Sequence, residues 1–279
     1  MNIQTALIKA TNILENNKIF SARLDAEILL SDVIKKDRKF IILNMEKILS
    51  ANKILNFNNL ITRRSKGEPV AYLINKKNFW KNEFIVSKDT LIPRPDTEIV
   101  VSEALKFLKK KKAMILDIGV GSGCILLSIL NEKKNLYGIG IDISKKCLDI
   151  CEINAKRLRL NNRVKFFKTD IDNFNYGKYD LIVSNPPYIK KNILKYLEKS
   201  IINFEPRVAL DGGYNGTTVI KKVIDKTSKL IKKNGIFILE IAFDQKNDVK
   251  KLLSDKGFYI NRTLKDYGNN FRCLISTKL

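Results

Sequence analysis

Asn185-Pro186-Pro187-Tyr188 is the segment of this chain best suited to do chemistry. Two successive prolines fix φ and contribute no N–H, so the turn is stiff and its carbonyls are left to accept. The Asn185 side-chain oxygen and a nearby backbone carbonyl can take both hydrogens of a planar –NH₂ group, and Tyr188 can pack against its face. Such a site places an amide or amino nitrogen in line with an electrophile. The apolar run before it, residues 179–184, reads as a strand. The tetrapeptide therefore falls at a strand's C-terminal end, where ligands of open α/β sheets gather.

A second constellation lies upstream. Gly119-Val120-Gly121-Ser122-Gly123 follows a strand at 113–117 and opens a helix. Its glycines permit φ > 0 and let a ligand approach the backbone closely, a feature that dinucleotide enzymes share. Asp142 closes the next strand, placed to accept from two ribose hydroxyls. The competing reading of Asp142 is an acid that caps the helix beginning after Ile143-Ser144. Asp170 ends the third strand, where an acid can meet the exocyclic amine of an adenine, with Ile171 beside the ring. A nucleoside-binding sheet of this kind would accept NAD or S-adenosylmethionine. The clamp at 185–188 separates the two, because hydride transfer has no use for a rigid amide clamp and methyl transfer to nitrogen does.

The elements that must position these residues follow from hydrophobic periodicity. Ile3, Ala6, Leu7, Ala10, Ile13 and Leu14 mark one face of a helix, and Ser21 is a candidate N-cap for a second carrying Leu24, Ile28 and Val33. Residues 40–43 and then Ile54, Phe57, Leu60 and Ile61 predict further helices. Past Gly67 and Pro69, the stretches 71–73, 78–80 and 84–86 read as β-structure, giving a hairpin connector. From Asp96 onward helix and strand alternate. Helices are predicted at 97–108, 124–130, 144–158 and 217–232. Strands are predicted at 113–117, 136–142, 164–167, 179–184, 235–241, 258–260 and 273–275, with a long loop containing Phe204-Glu205-Pro206. Alternation of this kind implies an α/β fold with a mainly parallel seven-stranded sheet and helices on both faces.

Bulk properties exclude several classes. A chain of 279 residues suggests one or two domains, and 44% apolar residues suffice for a proper core. No run of 18 or more apolar residues is present, so a membrane span is not expected. Met1-Asn2-Ile3-Gln4 does not begin a secretory signal, and a cytoplasmic location is expected. The four cysteines form no Cys-x-x-Cys pair and the chain has no histidine, so neither a metal nor a disulfide is expected. The missing histidine also excludes Ser-His and Cys-His mechanisms. Lys and Arg total 52 against 29 acids, a net charge of +23. That favours an acidic or RNA-associated partner. The lysines are nonetheless spread among many Ile and Asn residues, as a bias toward AAA, AAT and ATA codons would also produce. The run Lys109-Lys110-Lys111-Lys112 reads as a solvated helix end.

Taken together, the segment Leu91-Ile92-Pro93-Arg94-Pro95-Asp96-Thr97-Glu98, the glycine loop, Asp142 and Asn185-Pro186-Pro187-Tyr188 resemble the protein-(glutamine-N5) methyltransferases that modify peptide chain release factors. Gly67-Glu68-Pro69-Val70-Ala71-Tyr72, Phe204-Glu205-Pro206 and Asp25-Ala26-Glu27 extend the resemblance over nearly the whole chain. Asn-Pro-Pro-Tyr alone is shared with enzymes that methylate amino groups of adenine, cytosine and guanine; the Arg-Pro-Asp-Thr-Glu segment is more specific. Three positions depart from the pattern. Asn75 and Ala242 stand where glycine is usual, and Ile171 where an aromatic residue is frequent.

The resemblance implies a Rossmann-like class I methyltransferase domain at 94–279, preceded by an N-terminal helical substrate-recognition domain at 1–70 and a β-hairpin connector at 71–93. It implies S-adenosylmethionine as methyl donor, held by Gly119, Val120, Gly121, Ser122, Gly123, Asp142, Asp170, Ile171 and Asn185. The acceptor would be the glutamine of the Gly-Gly-Gln loop of class 1 release factors, bound by Asn185, Pro186, Pro187 and Tyr188, with Asn185, Pro186 and Tyr188 at the chemistry. For Arg94, Asp96 and Glu98, a helix N-terminus and a cover for the cofactor are competing readings. The expected partner is the release factor, with no stable nucleic acid, no membrane and a monomeric state. Two other readings compete: a nucleic-acid amino methyltransferase using the same clamp on a flipped base, and a non-catalytic binding module on the same scaffold.

Overall fold

The computed structural model describes residues 1–108 and 112–279; Lys109, Lys110 and Lys111 of the lysine run lie outside them. The chain forms two compact units. One comprises Met1–Lys76 together with Glu198–Phe204, and the other Lys77–Leu197 together with Glu205–Leu279.

The first unit is helical: α1 (Ile3–Asn16), α2 (Ala22–Ile34), α3 (Arg38–Leu43), α4 (Ala51–Ser65) and α5 (Val70–Leu73). Ile3, Leu7 and Leu14 of α1, Leu29 and Leu30 of α2, Ile41 of α3, and Phe57 and Ile61 of α4 share one apolar cluster. Two details differ from the sequence reading. Ile13 of α1 and Leu24 of α2 face solvent, and α2 turns Asp25 and Glu27 inward: Arg64 pairs with Asp25 at 2.8 Å, and Arg23 and Arg38 pair with Glu27. Ser21 stands at the N-cap position without a capping bond, its hydroxyl donating to Asp25 Oδ2 at 2.9 Å. Residues 71–73 are helical, not β. With Pro69 preceding them, the N–H groups of Tyr72 and Leu73 donate back to the Pro69 carbonyl and close a single turn. Three apolar residues without alternation carry no period to decide between the two. Asn75, where glycine is usual, has φ of 55°, a left-handed conformation that Asn tolerates better than most residues.

The second unit opens with the expected hairpin, β1 (Lys76–Phe79) and β2 (Asn82–Ile85). Asn154 pins it, accepting from the Ile85 N–H at 2.8 Å and donating to the Ile85 carbonyl at 3.0 Å. A short 3₁₀ turn at Pro95–Thr97 leads into α6 (Glu98–Phe107). Then β3 (Ala113–Ile118), α7 (Cys124–Glu132), β4 (Leu136–Asp142), α8 (Lys145–Arg157), β5 (Val164–Lys168) and β6 (Tyr179–Ser184) alternate as the sequence predicts. The long loop is less irregular than expected, since it contains α9 (Lys199–Phe204), which belongs to the first unit. The chain closes with α10 (Thr218–Leu230), β7 (Ile231–Glu240), α11 (Lys246–Asp255), β8 (Phe258–Lys265) and β9 (Phe271–Lys278). The helix α11 escaped the sequence reading because Val249 and Leu253 are its only fully buried residues.

Seven strands form one sheet in the order β5-β4-β3-β6-β7-β9-β8. Pairing is parallel from β5 to β7 and antiparallel at β9 and β8. The period-2 alternation of side chains divides each central strand between two cores. Ile115, Leu181, Val183 and Ile238 face a cluster with α6, α7 and α8. Leu116, Ile182, Phe237 and Leu239 face the opposite cluster with α10 and α11. Covered on both faces, the central strands leave their C-terminal edge as the place for a ligand.

Candidate functional site

At that edge lies a cavity of about 430 Å³, lined by residues from the ends of β3, β4 and β6, the turn after β5, and the segments 89–97 and 206–209. Gly119, Val120, Gly121, Ser122, Asp142, Asp170, Ile171, Asn185, Pro186 and Pro187 all line it. Gly123 and Tyr188 are not among its lining residues. Gly123 instead seats the loop on its own helix, and the Tyr188 hydroxyl turns away toward Glu240 at 3.4 Å.

The loop is held by the strand beside it. The N–H groups of Gly119 and Val120 both donate to the Ile141 carbonyl, at 2.9 and 3.0 Å. Asp142 accepts from Gly121 N at 3.1 Å and Ser144 N at 2.9 Å. Burial raises its carboxyl above the usual range while those amides lower it. The capping acid proposed for this position is thus partly realised, but the cap of α8 proper is Ser144, which accepts from Cys147 N. Asp170 is exposed and accepts from Asp172 N at 2.9 Å.

The clamp is braced from behind. Asn185 Nδ2 donates to Thr97 Oγ1 at 3.2 Å. Gln245, almost wholly buried, donates to the Tyr188 carbonyl at 3.1 Å and the Gly216 carbonyl at 2.9 Å. Arg94 lines the cavity and pairs with the buried carboxylate of Glu205, which joins the Arg-Pro-Asp-Thr-Glu and Phe-Glu-Pro segments. Asp96 lies 3.8 Å from Arg272, and Glu98 accepts the Trp80 N–H at 2.6 Å. Of these three, then, only Arg94 faces the cavity.

Sequence reasoning passed over Asp117, Thr97, Glu240 and Gln245. Asp117 is fully buried directly before the glycine loop, and burial pushes its carboxyl up to about 7. Neither oxygen has a partner of good geometry, and Asp117 is not among the lining residues of the cavity. Glu240 is also pushed up to about 7 by burial. An acid closing an otherwise apolar strand was the available signal for both. Burial likewise pushes the Cys124 and Cys147 thiols up to about 12, which leaves them protonated and inert. Among the described residues no cluster of three or more metal-ligating side chains is present, and no helix is long and apolar enough to cross a membrane.

A glycine loop at the end of β3, an acid ending β4 and an Asn-Pro-Pro-Tyr turn ending β6 of this sheet define a Rossmann-like methyltransferase fold. The family model "Methyltransferase small domain" matches residues 97–240, and "PrmC N-terminal domain" matches residues 5–74. A methyltransferase structure from Pyrococcus furiosus superimposes with a TM-score of 0.51 at 19% identity, covering 70% of this chain and 88% of that one. More specifically, the chain is 39% identical to the release factor glutamine methyltransferase of Buchnera aphidicola subsp. Acyrthosiphon pisum, over 100% of this chain and 99% of the relative. It is 35% identical to the protein of the same name from Caulobacter vibrioides, over 100% and 97%. The chain belongs to the release factor glutamine methyltransferase family.

Proposed function

We propose that this protein transfers a methyl group from S-adenosylmethionine to the side-chain amide nitrogen of a release-factor glutamine. The observation that carries this reading is the Asn185 amide, fixed by Thr97 at the cavity edge where Asn185, Pro186 and Pro187 meet the glycine loop. With Nδ2 engaged on Thr97, the remaining acceptor atom is Oδ1.

The residues fit the cofactor class. Gly119 has open space where a Cβ would stand, and Asp142 lines the cavity at the end of β4, placed for ribose hydroxyls. Gly119, Val120, Gly121, Ser122, Asp142, Asp170 and Ile171 would hold it, with Gly123 anchoring the loop. When bound, S-adenosylmethionine supplies an electrophilic methyl on a sulfonium.

A glutamine amide nitrogen is a poor nucleophile, so the task of the chain is positioning. Asn185 Oδ1 and the Pro186 carbonyl each accept one amide hydrogen and aim the nitrogen at the donor. Two acceptors also favour the positive charge that develops on that nitrogen in the transition state. Tyr188 lies outside the cavity lining and braces the clamp from behind, its hydroxyl 3.4 Å from Glu240 Oε1. No protonatable base precedes attack, in keeping with a chain that has no histidine, and the surplus proton leaves to water. The helical first unit serves release-factor recognition, and the protein acts as a cytoplasmic monomer.

Asn185→Ala should lower methyl transfer by roughly 10²-fold or more, the scale of one preorganised electrostatic contact, with S-adenosylmethionine still bound. Mass spectrometry of the release factor's Gly-Gly-Gln peptide after incubation with either form measures it. Turnover by the variant at the unsubstituted rate would refute the assignment.

A further inference from the structure

We propose that Gln245 is a positioning residue for the clamp: by taking the Tyr188 carbonyl it fixes the downstream end of Asn185-Pro186-Pro187-Tyr188, and with it the direction of the Pro186 carbonyl that receives a glutamine hydrogen. The inference rests on reading Asn185 and Pro186 as the acceptor clamp.

Proline fixes φ at positions 186 and 187, and Pro187 narrows ψ of Pro186 to a range of about 40°. That range still swings the Pro186 carbonyl, and a hydrogen bond weakens steeply as it bends. Neither proline has an N–H that could anchor the turn. The remaining freedom has to be removed from the ends of the tetrapeptide. Upstream, Ser184 belongs to β6, and Asn185 Nδ2 is held on Thr97 Oγ1 at 3.2 Å. Downstream, the first carbonyl past the two prolines is that of Tyr188, and it accepts from Gln245 Nε2 at 3.1 Å.

Gln245 is 2% exposed, and every polar atom of its side chain is used. Nε2 also donates to the Gly216 carbonyl at 2.9 Å, while Oε1 accepts from the Ala242 N–H at 3.1 Å. A backbone N–H can only donate, so the amide is held with its NH₂ group toward the two carbonyls. Gln245 stands at the N-cap of α11, yet its side chain makes no capping bond there. Ser, Asp or Asn at that position would stabilise the helix. The side chain reaches the clamp instead.

The glycines around it leave room for nothing else. Gly216 has φ of +72°, and a Cβ there would stand 2.5 Å from the Tyr188 carbonyl oxygen and 2.8 Å from Gln245 Nε2. At Gly212 a Cβ would stand 2.8 Å from both Cα and the carbonyl carbon of Tyr188. The Gly212 N–H donates to the Ile189 carbonyl at 2.9 Å, and the Ile189 N–H to the Leu210 carbonyl at 3.0 Å. Residues 210–216 thus close directly on the backbone that leaves the clamp. Gln245 ties the two sides of that contact together, from a turn 57 residues beyond Tyr188.

Gln245→Met keeps the length of the side chain and loses all three bonds. At saturating cofactor and release factor its kcat should fall about tenfold, the scale of one buried hydrogen bond. The Kd for S-adenosylmethionine should change by less than about threefold, since Gln245 is not among the lining residues of the cavity. Val249→Ala, one turn further along α11 and fully buried, loosens the same helix without touching the clamp. It should leave kcat within about threefold of the unsubstituted enzyme. In an Asn185→Ala background Gln245→Met should cost less than about threefold, because one remaining acceptor no longer holds the nitrogen in line. Full kcat in Gln245→Met, equal losses in Gln245→Met and Val249→Ala, a tenfold rise in Kd, or an undiminished loss in the Asn185→Ala background would each overturn the proposal. If Gln245→Met does not fold, Gln245→Glu, which keeps the length and the acceptor for Ala242 but has no NH₂ group, decides by the same comparisons. Asn185→Ala at full turnover would instead remove the clamp reading itself, whereas an impaired Asn185→Ala beside an unimpaired Gln245→Met would remove only the role of Gln245.

Discussion

Asp117 is fully buried at the end of β3, with both side-chain oxygens unpartnered. Burial pushes its carboxyl from 3.8 to about 7. A carboxyl whose value rises on folding stabilises the folded state while protonated there. Its contribution is complete below about pH 4 and is lost as pH rises through about 7. Glu240, pushed from 4.5 to about 7 with Arg272 opposing the shift, acts in the same direction. Across that window each such group changes stability by on the order of a few kcal/mol. Asp117→Asn keeps the shape and does not ionise, so the variant should gain stability relative to the unsubstituted protein as pH rises from 4.5 to 7.5. Urea unfolding at the two pH values measures this, and parallel behaviour of the two proteins would contradict it. At this scale the sequence was legible where chemistry is local. Asn185 and its prolines are contiguous, and Asp142 follows its strand. Thr97 and Asn185 are 88 positions apart, and nothing in a linear reading pairs them.

Among elements, the turn between β3 and α7 separates two uses of glycine. Gly119 has φ of +76° and nothing within 4 Å of the place a Cβ would occupy. Gly123 has φ of +83°, but there a Cβ would stand 2.8 Å from Leu127 Cδ1 and 3.1 Å from Cys151 Sγ. Gly119→Ala should therefore cost stability only about 1 kcal/mol, the strain of a left-handed alanine, while projecting a methyl at the cavity wall. Gly123→Ala adds overpacking against α7 and α8 and should cost about 2–4 kcal/mol. Thermal unfolding and S-adenosylmethionine titration separate the two: Gly119→Ala loses mainly binding, Gly123→Ala mainly stability. The reverse order would contradict the packing argument. The strands themselves were the most legible elements, because two-sided burial writes each central one as a short apolar run such as residues 179–184. Helices with little apolar surface were not. In α11, Val249 and Leu253 alone are fully buried, and the single turn of α5 is closed by the Pro69 carbonyl, neither of which leaves a periodic signal.

For the whole molecule, the compact units do not follow the chain in simple succession. Residues 198–204, strung between β6 and α10 of the second unit, belong with residues 1–76 of the first. A linear reading of composition divides a chain into consecutive stretches, and a seven-residue return such as this carries no marker of its own. The division at 70 and 93 drawn from the sequence therefore has no place for it. Within the first unit, Gly67 packs within 3.9 Å of Phe204, measured from where its Cβ would stand. The consequence concerns what survives when the helices are removed. In a fragment spanning 77–279, both apolar clusters of the sheet keep all their members, since every one lies in the second unit. The return segment, in contrast, loses the residues it packs with. Such a segment opens at little free-energy cost, and cleavage tracks the population of the open form. The fragment should retain the circular dichroism of an α/β sheet while trypsin cuts at Lys199 at least about tenfold faster than in the full chain, as the loss of about 1.4 kcal/mol of local protection requires. Equal rates of cleavage would mean that 198–204 draws its order from the second unit instead.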